Sequence, residues 1–172
     1  MKKLRLLVTK YCPKSCEGCC NKEWDLNNLP VVDDFSKYDE IIITGGEPLD
    51  MMTRQATLHL IDYIYTWYKE KTIILYTATG SGILWLFKQT EVNGITYTIH
   101  DESEIDNLYD VVEYFNAEAH WYPRISLRLN VFKGINIPEN IDLSLWTIKK
   151  DIEWIKNCPL PEDEVFMRMP NI

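Results

Sequence analysis

The chain has 172 residues, 46% of them hydrophobic and 26% charged, with a net charge of −8. That is room for one domain with a real core and too little for two. The acidic balance argues against a grip on a nucleic-acid backbone, which needs clustered Lys and Arg. No apolar run approaches the ~20 residues of a membrane span. The apolar run near the N-terminus is shorter than the ~7–15 residues of a secretory signal. A cytoplasmic protein with reduced thiols is expected, and there a dense cysteine cluster points to a metal before disulfides.

In chain order, residues 4–9 read as a short apolar strand that delivers a cysteine-rich loop. Residues 33–38 suggest a helical turn. Ile41, Ile42, Ile43 and Thr44 form a continuous β-branched run, the mark of a strand buried on both faces. It stops at Gly45-Gly46-Glu47-Pro48. Helical spacing of Leu60, Ile61, Ile64, Trp67 and Tyr68 predicts a helix over 53–71. Strands are predicted over 72–77, 94–99 and 124–132. A short helix is predicted over 83–88, and a longer one is built on Ile105, Leu108, Tyr109, Val112 and Phe115. Leu145, Ile148, Ile152 and Ile155 suggest a last helix, and 165–169 a last strand.

Strand alternating with helix means a parallel sheet with crossover helices. The predicted fold is α/β, a partial (β/α)6-type barrel or a curled parallel sheet, in a single domain over residues 1–172. In such folds chemistry sits at the C-terminal ends of the strands. The unusual residues fall at those ends.

Four of the five cysteines lie within nine residues. Cys12, Cys16 and Cys19 have C-x3-C-x2-C spacing, and Cys20 follows directly. Three thiolates on a short loop can hold three corners of an iron–sulfur cube, where an ordinary electron-transfer cluster takes four. Cys20 is expected to point away from Cys19. Cys158 lies far off beside Pro159, at a predicted helix end. Zinc needs four ligands, usually in two separated pairs, and there is no second pair here. A zinc site and a metal-binding module without catalysis stay open as alternatives.

Cys12-x3-Cys16-x2-Cys19 after the first strand, with Gly45-Gly46-Glu47-Pro48 after the second, resembles the radical S-adenosylmethionine (SAM) superfamily. The resemblance implies a trimmed form of that family's core and a 4Fe–4S cluster on Cys12, Cys16 and Cys19. It implies SAM chelated to the open iron and cleaved reductively to a 5′-deoxyadenosyl radical that abstracts hydrogen from a substrate. Gly45, Gly46, Glu47 and Pro48 would be cofactor-binding, the first three at the SAM amino group. The electron would come from an external flavodoxin or ferredoxin. The run from Cys16 to Trp24 is similar to the loop of the small activases of anaerobic ribonucleotide reductase, which implies a large glycyl-radical partner. The 7-carboxy-7-deazaguanine synthases, with Gly before the third cysteine, are a second small-chain likeness and imply a small-molecule substrate.

Other candidates stand beside these. Thr77 and Thr79 share one face of the third strand and could touch SAM, or form the turn. His100 ends the fourth strand, where this family often contacts the SAM ribose. The other reading is a polar strand end with Asp101 or Ser103 capping the next helix, and Ser103-x-x-Asp106 approximates a capping box. Arg128 and Asn130 share one face of the fifth strand. A buried Arg there would need an anion, for which the SAM carboxylate is one candidate. From Asp101 to Glu118 the chain carries seven acidic residues and no Lys or Arg. This reads as a solvated face or, alternatively, a docking site for a basic partner.

Overall fold

The computed structural model describes residues 1–172. Its strands are β1 (Lys3–Leu7), β2 (Glu40–Thr44), β3 (Thr72–Thr77), β4 (Gly94–Ile99), β5 (Ser126–Phe132), β6 (Thr147–Ile152) and β7 (Glu164–Arg168). Helices α1 (Arg54–Trp67), α2 (Gly80–Leu86) and α3 (Ile105–Glu118) follow β2, β3 and β4. The strands form one sheet in the order β6-β5-β4-β3-β2-β1-β7, parallel throughout. The outermost strands β6 and β7 do not pair, so no barrel closes.

Successive side chains of a strand point to opposite faces, and the two faces of this sheet have different jobs. Leu4, Leu6, Ile41, Ile43, Ile73, Leu75, Ile95, Tyr97, Leu127 and Leu129 face the helices. There they meet Ile61 and Ile64 of α1, Ile83 and Leu86 of α2, and Leu108 and Phe115 of α3 in a core of 30 buried residues. The alternate positions Arg5, Thr44, Tyr76, Thr98 and Asn130 line a cavity on the other face, joined by Ile152 of β6. In a flat sheet those six strands would span five spacings, about 24 Å. They all reach one cavity of about 300 Å3, so the sheet curls around it.

Three predicted elements are corrected. The last helix is absent: its residues form β6, beside β5. Leu145, Ile148 and Ile155 recur at helical spacing but are exposed, so that spacing marks no buried helical face here. The β-branched pair Thr147 and Ile148 instead extends the open edge of β5. Lys149 and Lys150 keep the new edge charged, which discourages further pairing. Helix α1 stops at Trp67 because Tyr68 leaves helical geometry, φ −136° and ψ 53°, and a turn from Tyr68 to Lys71 feeds β3. Helix α2 begins at Gly80, earlier than predicted. Its first turn packs so tightly that a Cβ on Gly82 would lie 2.6 Å from Leu49. The strand over 165–169 is present as β7.

Residues 153–163 connect β6 to β7 without a helix. Since β6 and β7 are the two outer strands, this connection crosses the face opposite the helices. Trp154 and Ile155 at its start line the cavity. Leu160 joins a second apolar cluster with Leu7, Leu29 and Phe166, and Asp163 pairs with Lys3 at 2.9 Å. No helix of the chain is long and apolar enough to cross a membrane.

Candidate functional site

The cysteine loop is held in place by backbone. The Gly46 N–H donates to the Thr9 carbonyl and the Glu47 N–H to the Tyr11 carbonyl, each at 2.7 Å. These bonds continue the β1–β2 pairing past the strand ends. They explain the glycines. Gly45 has φ 152°, and a Cβ on it would come 2.5 Å from the Thr9 oxygen. A Cβ on Gly46 would fall on the Tyr11 carbonyl. Only residues without side chains let the loop lie this close. Asn21, just past the cysteines, donates its amide to the Gly45 carbonyl and ties the far end of the loop to the same turn.

Cys12, Cys16 and Cys19 are free, half-buried thiols, and all three line the cavity. No three His, Cys, Asp or Glu side chains converge as one ion would require. A cube binds its thiolates through different irons, so a shared cavity wall, and not a single point, is the arrangement it asks for. Cys20 is disulfide-bonded to Cys158, with the Cα atoms 5.5 Å apart. It lines the same cavity as the other three, against the expectation that it points away, but its sulfur is committed to this bond. Cys158 is not remote and not at a helix end: the 153–163 connection carries it back to the cysteine loop.

Gly45, Gly46, Glu47, Thr77, His100 and Asn130 also line the cavity. Pro48, Thr79 and Arg128 do not. Pro48 is buried, and its carbonyl accepts from the Thr57 hydroxyl at 2.8 Å. Thr79 precedes α2, with its N–H donated to Thr77 Oγ1 at 3.0 Å. Arg128 is exposed. The arginine in the cavity is Arg5, which lies 5.6 Å from the Tyr76 ring centroid. Its anion is Glu164 of β7, at 2.7 Å. A charge between Leu4 and Leu6 on a predicted strand is the signal that could have found it.

Glu47 is only 2% exposed, and its carboxylate is fully engaged. Oε1 accepts from the Leu49 N–H at 3.0 Å and from the Thr77 hydroxyl at 2.5 Å; Oε2 accepts from the Ala78 N–H at 2.8 Å. This carboxylate fastens the end of β2 to the end of β3. What the turn presents to the cavity is its backbone.

At the end of β4 the cap is Asp101, two residues earlier than Ser103, and Glu104 binds the residue before the cap in place of closing a capping box. The Asp101 side chain accepts from the Ser103 N–H at 2.9 Å, and Glu104 reaches back to the His100 N–H at 2.6 Å. Glu104 is buried and also pairs with Lys14 of the cysteine loop. One residue of the acidic run is therefore a strut between that loop and His100, a role hidden among exposed acids. Its Asp101-x-x-Glu104 spacing is the available clue.

His100 stacks on Trp154 with centroids 5.5 Å apart and planes 16° apart; Phe132 lies 4.8 Å from His100 and 4.6 Å from Trp154. A Cβ on Gly18 would run into the Trp154 ring, so Trp154 also roofs the cysteine loop. Burial, aided by the Lys14 charge, pushes the His100 pKa down to about 4. The ring is neutral near pH 7, with its buried Nδ1 unpartnered. A bulge re-registers β6 on β5 between Asn130 and Phe132, beside the left-handed Asp151, and turns this aromatic wall toward the cavity. The Asn130 side chain makes no hydrogen bond within the chain and is free for a ligand.

The site thus joins three free thiols, a backbone turn with close-approach glycines, two cations (Arg5 and Lys14), a free amide and an aromatic wall at the C-terminal ends of parallel strands. This is an α/β protein with a cavity at the C-terminal ends of its parallel strands, where such sheets place their sites. No family model matches the chain, and no curated protein matches it.

Proposed function

We propose that this chain is a radical SAM enzyme built on a trimmed, curled parallel sheet. The observation that carries the reading is that Cys12, Cys16 and Cys19 remain free and share one cavity with the Gly45-Gly46-Glu47 turn. Cys20 is committed elsewhere, so three thiolates and no fourth are offered.

Cys12, Cys16 and Cys19 would hold a 4Fe–4S cluster. When bound, the cluster and SAM supply one-electron cleavage and a hydrogen-abstracting radical. The chain's own residues bind, orient and exclude water. Lys14, in the cysteine loop, puts a positive charge beside an anionic thiolate group, and Glu104 positions it. The Gly46 carbonyl is offered to an ammonium donor, while the Gly45 carbonyl already accepts from Asn21. Asn130 and Thr98 offer uncommitted polar groups, and His100, Phe132 and Trp154 offer an apolar wall that keeps water from a reactive intermediate. Neutral His100 can accept a hydrogen bond but carries no charge to repel a sulfonium. The cavity, about 300 Å3, is at the small end for a cofactor site.

The test is anaerobic reconstitution with iron and sulfide. About four irons and four sulfides per chain are expected in the wild type and in Cys20→Ala, and little in Cys12→Ala, Cys16→Ala or Cys19→Ala. Stoichiometric zinc in place of iron, or a cluster that survives Cys19→Ala but not Cys20→Ala, would overturn the assignment.

A further inference from the structure

We propose that Cys20 and Cys158 are a thiol–disulfide switch that latches residues 153–163 across the cavity as a strap. Three observations carry this. The bond joins the cysteine loop to the middle of the strap, 138 residues away in sequence. The strap holds the site narrow: its Trp154 covers Gly18 and stacks on His100. The strap is otherwise thinly fastened. Between β6 and Leu160 its ties to the rest of the chain are the Trp154 ring, Ile155 at the cavity edge, the exposed Lys133–Glu153 pair, and the buried Cys158 with its disulfide. Ile155, Lys156 and Asn157 are exposed, and Asn157 and Cys158 are left-handed. A segment with so little burial opens at low cost once its crosslink is cut.

The two sulfurs differ in access. Cys20 is half-buried and lines the cavity, whereas Cys158 is 7% exposed. A dithiol reductant attacks at Cys20, releases the Cys158 thiolate, and leaves as its own cyclic disulfide. Two electrons and two protons pass from the dithiol to the two cysteines. The freed Cys158 thiol finds an acceptor already in place, the Ile155 carbonyl 3.0 Å away. Oxidised, the strap closes the site; reduced, it swings with Trp154 and opens it. The purpose of the latch, opening the site only under reducing conditions, rests on the radical SAM reading; the latch itself does not.

The test therefore needs no cluster. The full chain, purified in air without reductant, is digested with trypsin, and cleavage after Lys156 is followed by mass spectrometry. Reduction with dithiothreitol is expected to speed that cut by about tenfold or more, since cleavage follows the open population. Cys20→Ser without reductant should match the reduced wild type and ignore dithiothreitol; Cys158→Ser provides the same comparison should Cys20→Ser fold poorly. Iodoacetamide should leave Cys20 and Cys158 unlabelled in the air-purified protein while labelling Cys12, Cys16 and Cys19. Equal cutting rates with and without reductant, or full labelling of Cys20 and Cys158, would overturn the latch and leave the cluster assignment untouched. Loss of the cluster assignment would likewise leave these rates unchanged.

Discussion

The Thr77 hydroxyl donates to Glu47 Oε1 at 2.5 Å inside the fold, across the ends of two neighbouring strands. With the Leu49 and Ala78 N–H groups it uses up a carboxylate that is 2% exposed. The glutamate of the turn is therefore first a fastener. Glu47→Ala strands the buried Leu49 N–H and Thr77 hydroxyl and the partly buried Ala78 N–H, and should destabilise the fold by about 2–4 kcal/mol, and Thr77→Val by about 1–2 kcal/mol. Urea unfolding checks both. A Glu47→Ala protein of wild-type stability would show that the carboxylate serves a ligand and not the fold.

Asn130 is the contrast. It faces the cavity and makes no hydrogen bond within the chain, so Asn130→Ala should leave unfolding within about 0.5 kcal/mol of wild type. Its effect should fall on ligand binding, with SAM affinity of the reconstituted protein several-fold weaker in an equilibrium titration, as for one lost hydrogen bond of about 1 kcal/mol. Unchanged affinity would remove Asn130 from the site.

The Gly46 contact makes a sharper claim. A Cβ there falls on the Tyr11 carbonyl, so Gly46→Ala must push the cysteine loop off the end of β2. We expect a loss of at least about 2 kcal/mol from the overpacking and iron uptake well below wild type. Normal iron uptake by Gly46→Ala would mean that the loop finds its ligand geometry without this seat.

His100 gives a pH dependence with a fixed sign. Burial, then the Lys14 charge, holds its folded-state pKa at about 4, below the ~6.5 of an unfolded chain. Unfolding therefore takes up a proton below about pH 6.5. The contribution is complete above that pH and is lost as pH falls toward 4, by at most about 3 kcal/mol. Unfolding of wild type and His100→Gln at pH 7 and pH 5 isolates it: the wild type should lose more stability than the variant. Equal losses would put His100 in water.

Much of this architecture is legible in the chain because its signals are local. A run such as Ile41-Ile42-Ile43 can only be a buried strand, and three cysteines with a Gly-Gly turn announce a loop with a special backbone. What is not legible depends on contacts distant in sequence. Ile148 and Ile152 have helical spacing, yet the open edge of β5 claims them as a strand. Glu104 looks like one more surface acid until Lys14 arrives from ninety residues upstream. Arg128 looks like the cavity arginine because β5 carries it two residues from Asn130, but only the upper part of that face is enclosed, and Arg5 fills the role. Cys158 meets Cys20 only because β7 lies at the far edge from β6, which sends the strap across the site.

The central claim is tested most directly by SAM cleavage. The protein is reconstituted without oxygen, reduced with dithionite in the presence of SAM, and assayed for 5′-deoxyadenosine. The account predicts product that depends on the cluster and disappears in Cys12→Ala. A fully loaded 4Fe–4S protein, reduced and with its strap open, that leaves SAM intact would contradict it.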